Sequence, residues 1–534
     1  MKIFQRLINK LRRGINLHAN RSVIRALERE LAKRETDSNS APVIIFNAST
    51  RLSGLSQNAG FSLITSLALR AAGVPVFHFV CQRGLSRCVL GTDKDNPHAP
   101  PPCPECMRTS RFVYPAANVA AFTYARNDQL TLQIKDLTLE QLLILNIDEL
   151  PVGEIILPSL RWILRRHHLI DDENTRLIAR EYILSTCHLA DEVRALLDTH
   201  HPRAVVVFNG MFYPEAVFKH LAREKGIPVY SHEVGMLPFS GFFTDQEATA
   251  YPVDVNEGFR LDKAQEERLN RYLAERKKGK FVTAGIKFWP EIKQLDEAFL
   301  GQANTYRHIV PIFTNVIFDT SQGHANVLYG HMFEWLDSLL PEIKQNQDTL
   351  FIIRAHPDEL RAGKESRETV AGWVSDRQAD KISNVRFIPS DQFISSYELI
   401  EKSKFVMVYN STIGLEASIM GKPVLCAGKA RYTQIPTVYY PRSKKEYFQL
   451  LVKFLRADAV DHPPEFQENA RRMLFCQLFA VSLPFGDFLS EDGVWKGYIR
   501  LRNFMVEQLS PEESPTIHVL LQGILQNKPF IMEK

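Results

Sequence analysis

Residues 404–428 read as a strand, a polar break, a short helix, a glycine stop and a second strand. Phe405–Tyr409 is an unbroken apolar run, the pattern of a strand buried on both faces of a parallel sheet. At Asn410-Ser411-Thr412 it gives way to residues able to cap a helix and leave its first amide hydrogens unpaired. Ile413, Leu415, Ala417, Ile419 and Met420 supply the helix's apolar side. Gly421 ends it in the left-handed conformation that other residues adopt only at a cost, and Pro423–Ala427 is the next strand. Such a unit presents a helix start at the carboxyl edge of a sheet, where amide hydrogens and the helix dipole attract an anion such as phosphate. Glu416 stands about one turn into that helix, within reach of a sugar hydroxyl.

Two further strands end in the same way. Thr349–Arg354 runs into Arg354, His356 and Pro357, and proline ends the ladder because it has no amide hydrogen. Arg354 offers a rigid donor fork for phosphate, and His356 a titratable donor near neutral pH. His308–Asn315 also stops at small polar residues, followed by Asp319-Thr-Ser-Gln-Gly323. Three polar strand ends close in sequence predict one nucleotide crevice. The alternative is an ordinary doubly wound unit in which Ser411 is only a cap.

The strand end Arg354-Ala-His356-Pro357, followed by Tyr409-Asn-Ser-Thr-Ile-Gly-Leu-Glu416 and Gly421-Lys-Pro-Val424, resembles bacterial capsule and surface-polysaccharide biosynthesis glycosyltransferases, including the Kdo-transferase type. The resemblance covers roughly residues 306–450. It implies the GT-B fold, in which two Rossmann-like α/β domains face a cleft. It also implies a nucleotide-sugar donor in the carboxy-terminal domain, with His356, Ser411 and Thr412 on phosphate and Glu416 on ribose or sugar. The paired glutamates of many retaining GT-B enzymes are absent, since Val408 occupies the upstream position. The same Ser…Glu…Gly-Lys-Pro-Val pattern is similar to UDP-N-acetylglucosamine 2-epimerases. His232-Glu233-Val-Gly235 only partly matches their His-x-Glu-Ala-Gly.

Around this core the chain divides into five parts. Residues 1–41 form a basic amphipathic helix and linker. Strands and helices alternate through 42–255 (Val43–Phe46, Val74–Val80, Ala204–Gly210, Ile227–Glu233), indicating a first parallel α/β domain for the acceptor. Polar residues cluster at its strand ends: Asn47, Ser49, Asn209, His232 and Glu233. A charged helical connector, 256–305, includes Lys277-Lys-Gly-Lys280. The nucleotide-sugar domain is 306–456, and 457–534 is helical by pattern.

The chain has 534 residues, and its 65 basic and 61 acidic side chains give a net charge of only +4, against nucleic-acid binding. With 45% hydrophobic and 24% charged residues it has the composition of a soluble globular protein. No apolar run reaches membrane-span length and no signal-peptide core is present, which places the protein in the cytoplasm. In the first helix Phe4, Leu7, Ile8, Leu11 and Ile15 share one face and Lys2, Arg6, Lys10 and Arg13 another, with no acid before Glu28. That pattern fits either the inner surface of an anionic membrane or docking on the protein body. A lipid-linked acceptor favours the first.

Four of the seven cysteines, Cys81, Cys88, Cys103 and Cys106, follow a Cys-x6-Cys-x14-Cys-x2-Cys spacing. Clustered thiols in a cytosolic chain predict a structural zinc held by four thiolates. An iron–sulfur cluster, reduced structural cysteines or a redox pair at Cys103/Cys106 are the alternatives. For the catalytic base Glu233 comes first, then His232, with Asp319 a candidate beside the donor site. His167-His168 and His200-His201 read as solvated pairs. The expected activity is transfer of a sugar from a CMP- or UDP-linked donor to a growing surface polysaccharide or lipid-linked glycan. A nucleotide-sugar epimerase and a non-catalytic scaffold of a polysaccharide assembly complex are the alternatives.

Overall fold

The computed structural model describes residues 2–34, 40–48, 54–114, 118–277, 293–494 and 496–532. Ser49, Arg51, Ser53 and Lys278-Gly279-Lys280 lie outside these residues, as do the side chains of Lys2, Phe4, Arg6, Leu7 and Asn47. Two parallel sheets form two α/β units. In the first, the strand order is 240–244, 229–234, 204–208, 43–47, 76–81, 119–122, all parallel except 240–244. In the second, the order is 385–388, 349–354, 308–313, 406–408, 424–426, all parallel.

The apolar runs follow from burial on both faces. Val43 and Ile45 pack into one layer of the first unit, Ile44 and Phe46 into the opposite layer. Leu350 and Ile352 alternate with Phe351 and Ile353 in the same way in the second. Each such side chain contributes about 1.5–3 kcal/mol when fully buried. Gly421 does end the 413–419 helix at φ +77°, where a Cβ would be strained.

The last segment departs from the helical expectation. The Pro464–Phe475 helix packs on the Ile413–Ile419 helix and continues through a π-turn at 476–480. The chain then returns to the first unit: Leu483–Pro484 pairs antiparallel with 240–241. Strands 489–491 and 498–501 form a small sheet with Leu55–Ser56, and the Pro515–Gln526 helix packs on the Gln57–Ala71 helix. Strands of two to four residues leave too little alternation to read in a sequence.

The first helix is Lys2–Leu31. Its second half is docked: Ile24, Leu27 and Leu31 are buried, Asn20 Oδ1 accepts the Leu501 amide at 2.8 Å, and Arg70 holds Glu28 through both nitrogens. Nearer its start Leu11 is 68% and Ile15 63% exposed, while Asn16 Nδ2 donates to the Asp492 carbonyl at 2.7 Å and Arg13 faces Glu105 at 4.0 Å. Among the described residues, no helix is long and apolar enough to cross a membrane.

Candidate active site

A cleft of about 440 Å³ opens at the carboxyl ends of the second sheet's strands. The exits of 308–313, 349–354, 406–408 and 424–426 bring Asn315 to Asp319, His356, Asn410 to Thr412 and Lys429 to Arg431 to one wall. The first unit supplies Trp162, Gln246, Thr249 and Pro252 opposite. Three strand ends predicted to meet therefore do meet, because all leave a parallel sheet at the same edge.

Local hydrogen bonds hold this wall. Thr314 ties two exits together, its Oγ1 donating to the Arg354 carbonyl at 2.8 Å. Gln322 Nε2 donates to Asn410 Oδ1 at 3.3 Å, and Tyr432 Oη to the Ser411 carbonyl at 2.7 Å. Gly414 is needed beneath that tyrosine, since a Cβ there would lie 2.3 Å from Tyr432 Oη.

Arg354 is 8% exposed, and among the described residues its buried Nη1 has no hydrogen-bond partner. Burial lowers its pKa to about 10, so it stays charged at neutral pH. It lines a second hollow of about 110 Å³ that shares His356, Ser411 and Thr412 with the cleft and has Phe313, Phe393 and Tyr397 as apolar walls. His356 Nδ1 accepts the Asp358 amide at 3.1 Å, which leaves the neutral ring's proton on Nε2. Burial lowers the His356 pKa, with Asp358 working in the opposite direction.

Glu416, expected on ribose or sugar, lines the same hollow. Its carboxylate is buried and taken by Arg276, with Nη2 at 2.7 Å and Nε at 2.9 Å, and by the Tyr397 hydroxyl. A buried carboxylate demands such partners. Arg276, from the Lys263–Lys277 helix of the connector, supplies the charge from a region without a recognisable motif.

The proposed bases separate in the structure. Asp319 is exposed on the cleft wall, accepting from Ser321 Oγ at 2.8 Å and the Thr320 amide at 2.9 Å. His232 is fully buried among Phe61, Phe208 and Phe243, with Nε2 2.9 Å from Ser62 Oγ and Nδ1 without a partner among the described residues. Burial pushes its pKa down to about 3, so it is a neutral core residue and not a proton carrier for the cleft. Glu233 accepts from the Val234 amide at 2.8 Å and Asn58 Nδ2 at 3.2 Å and does not line the cleft. The charges of Glu233 and Asp319 both bear on buried Tyr251, which Arg431 covers at 3.7 Å.

Several groups escaped sequence reasoning. Arg361, Lys364, Lys429 and Arg431 make the cleft basic against Asp319 and Asp358, and His324, its pKa lowered by burial, lines it too. Lys429 and Arg431 were legible in principle, lying directly beyond a predicted strand end. At one contact between the units, Thr249 Oγ1 and His324 Nε2 are 2.8 Å apart.

Of the His167-His168 pair, His168 is exposed as expected and His167 is not. His167 is buried, and Glu368 accepts the His167 and His168 amides at 2.8 and 3.1 Å and faces His168 Nδ1 at 2.5 Å. His168 Nε2 lies 3.1 Å from His331 Nε2. The carboxylate comes from 200 residues away, so no local pattern announces it.

Cys81, Cys88, Cys103 and Cys106 lie at one end of the first sheet, and none is in a disulfide bond. Among the described residues, no group of three or more His, Cys, Asp or Glu is arranged to hold a metal ion. The zinc site expected from the spacing is thus not assembled here. Burial pushes the Cys81 and Cys88 thiols up to about 12, which keeps them protonated.

Two parallel-sheet units facing a cleft, with the last segment crossing back to the first, constitute the GT-B arrangement. Residues 264–442 match the family model described as capsule polysaccharide biosynthesis protein. That segment contains the second sheet and the cleft wall formed by its strand exits, and meets the resemblance drawn from the sequence. No curated protein matches the chain significantly.

Among solved structures, the chain is similar to the Thermosulfurimonas dismutans KpsC β-Kdo 2,4 transferase, with 15% identity and a TM-score of 0.36, covering 53% of this chain and 80% of that one. The β-Kdo 2,7 transferase of the same protein gives 17% and 0.32, covering 55% and 81%. A UDP-GlcNAc 2-epimerase from Neisseria meningitidis gives 12% and 0.25, covering 81% and 97%. At these values activity has to be argued from the site itself.

Proposed function

We propose that the chain is a glycosyltransferase that moves a sugar from a nucleotide-activated donor, CMP- or UDP-linked, to a growing surface polysaccharide or lipid-linked glycan. The observation that carries this reading is Arg354: a buried guanidinium with an unpartnered Nη1, opening on a hollow continuous with the cleft. An uncompensated buried cation is costly, and an anion seated against it removes that cost. The donor's phosphate is that anion, with His356 Nε2–H and the Ser411 and Thr412 hydroxyls as further donors. As the glycosidic bond breaks, negative charge grows on the leaving phosphate, so these groups bind the transition state more tightly than the donor. Asp319, on the cleft wall, takes the acceptor hydroxyl's proton. Glu233 stands behind the wall, held by Asn58 and the Val234 amide.

The exposed Leu11 and Ile15, with Lys10 and Arg12 beside them, support a peripheral seat on an anionic membrane, where a lipid-linked acceptor resides. The transferase reading is tested by thermal shift with CMP, UDP, GDP and CDP on the wild-type protein and on Arg354→Ala. One nucleotide should stabilise the wild type and lose that effect in the variant. Equal stabilisation of both proteins counts against the site. Interconversion of a free nucleotide sugar without acceptor would identify an epimerase instead.

A further inference from the structure

One contact between the two units is made of groups that titrate near neutral pH. The loop after the Val152–Leu164 helix carries His167 and His168 of the first unit. Glu368 and His331, which caps the Met332–Gln345 helix, meet them from the second.

The hydrogen bonds assign each proton in turn. His331 Nδ1 accepts the Glu334 amide at 3.1 Å, so the neutral ring carries its proton on Nε2. That proton is directed at His168 Nε2, 3.1 Å away, which must accept it. His168 therefore holds its own proton on Nδ1 and donates it to Glu368 Oε1 at 2.5 Å. The chain from the Glu334 amide to Glu368 is thus complete with both rings neutral. His168 is exposed, so solvent protons reach it directly. One added proton either sets two N–H groups face to face or moves the His331 proton to Nδ1 and uncaps the helix. A second makes two cations 3.1 Å apart.

Neighbouring charges do not cancel this. His331 also faces Glu334, Glu368 and Asp337, but Glu334 pairs with Lys444 and Asp337 with Arg377. Burial, then the charge of His168, holds the His331 pKa below its ordinary value. His167, beside both rings, faces Arg161 and is held at about 3 by burial.

We propose that His168 and His331 form an acid-released clasp between the two units, closed at neutral pH by the His331–His168–Glu368 chain and opened when the histidines take up protons. The closed ring of His331 binds a proton less readily than the open one. Closure is therefore favoured above pH 6.5 and lost as pH falls below it. The clasp stands at one end of the cleft. The Arg165 carbonyl accepts the Arg367 amide at 2.9 Å, and its guanidinium stacks on Trp162 at 4.1 Å. Trp162 and Lys364 line the cleft, one from each unit. Release frees this end of the cleft to widen.

The test is hydrogen exchange of the full chain, read by mass spectrometry at pH 7.5 and 5.5 and corrected for the intrinsic pH dependence of exchange. It needs no activity, so it stands apart from the transferase reading. The His167 and His168 amides, both held by Glu368, should lose about tenfold in protection, the factor one proton gives a unit below 6.5. Strands 43–47 and 349–354 should keep theirs. His331→Asn, which can still cap its helix, should lose most of that dependence. His168→Gln, at an exposed position, should do the same and serves if the first variant fails to fold. Equal protection at the two pH values, loss in the strands as well, or the full wild-type dependence in either variant overturns the clasp.

Discussion

Arg276 and Glu416 are joined 140 residues apart in sequence, Nη2 to Oε1 at 2.7 Å, with side chains 18% and 7% exposed. The pair fastens the connector helix to the strand–helix unit that carries Ser411 and Thr412. Removing one partner from a buried ion pair costs about 3–5 kcal/mol because the other charge is stranded. Glu416→Ala should therefore lower stability in denaturant unfolding. Arg276→Met with Glu416→Met should recover much of the loss. A Glu416→Ala protein as stable as wild type would show that the pair is solvated.

At the cleft wall, His356→Ala should weaken nucleotide binding sharply while lowering stability by only about 0.5–2 kcal/mol, the cost of the cap that Nδ1 gives the Asp358 amide. Loss of a charge-assisted or directional phosphate contact costs about 1.5–3 kcal/mol, or roughly tenfold to a hundredfold in Kd. Calorimetric titration measures it. Unchanged affinity would remove His356 from the site.

Asp319→Asn keeps the side chain's shape and removes its basicity. Turnover should fall by about 10²–10⁴ with donor affinity little altered. Glu233→Gln should have a much smaller effect on kcat. If the two effects are reversed, the base lies behind Tyr251 and the cleft must rearrange for catalysis.

Buried histidines make stability depend on acid. Burial holds both His78 and His232 at about 3, below the ordinary 6.5. Between these values the unfolded chain binds more protons than the folded one, so stability is fully present above pH 6.5 and declines as pH falls toward 3. At pH 5 each histidine costs about 2 kcal/mol. Guanidinium unfolding at pH 8 and pH 5 checks the sum. Equal stability at the two values would mean that these rings are hydrated.

For the first helix, Leu11→Glu with Ile15→Glu should abolish sedimentation with anionic vesicles and leave folding unchanged, since both side chains are exposed. Wild-type binding should weaken as salt rises, each basic residue contributing about 1 kcal/mol through a screened field. Equal binding by wild type and variant would assign the helix to the body of the protein alone.

The Val- and Ile-rich runs determined the two parallel sheets, because a strand buried on both faces has no other composition open to it. Strand exits at Asp319, His356 and Ser411 were legible for the same reason: a parallel sheet delivers all its carboxyl ends to one edge. Gly421, at a position needing positive φ, was equally readable. What remained hidden were partners remote in sequence. The claim of Arg276 on Glu416, the enclosure of His232 by three rings and the capture of His168 by Glu368 each depend on which surfaces the folded chain brings together. A carboxylate or imidazole has the same letter whether it faces substrate or core. Only the tertiary structure decided which, since burial and the nearest opposite charge set protonation, and neither is a local property of the chain.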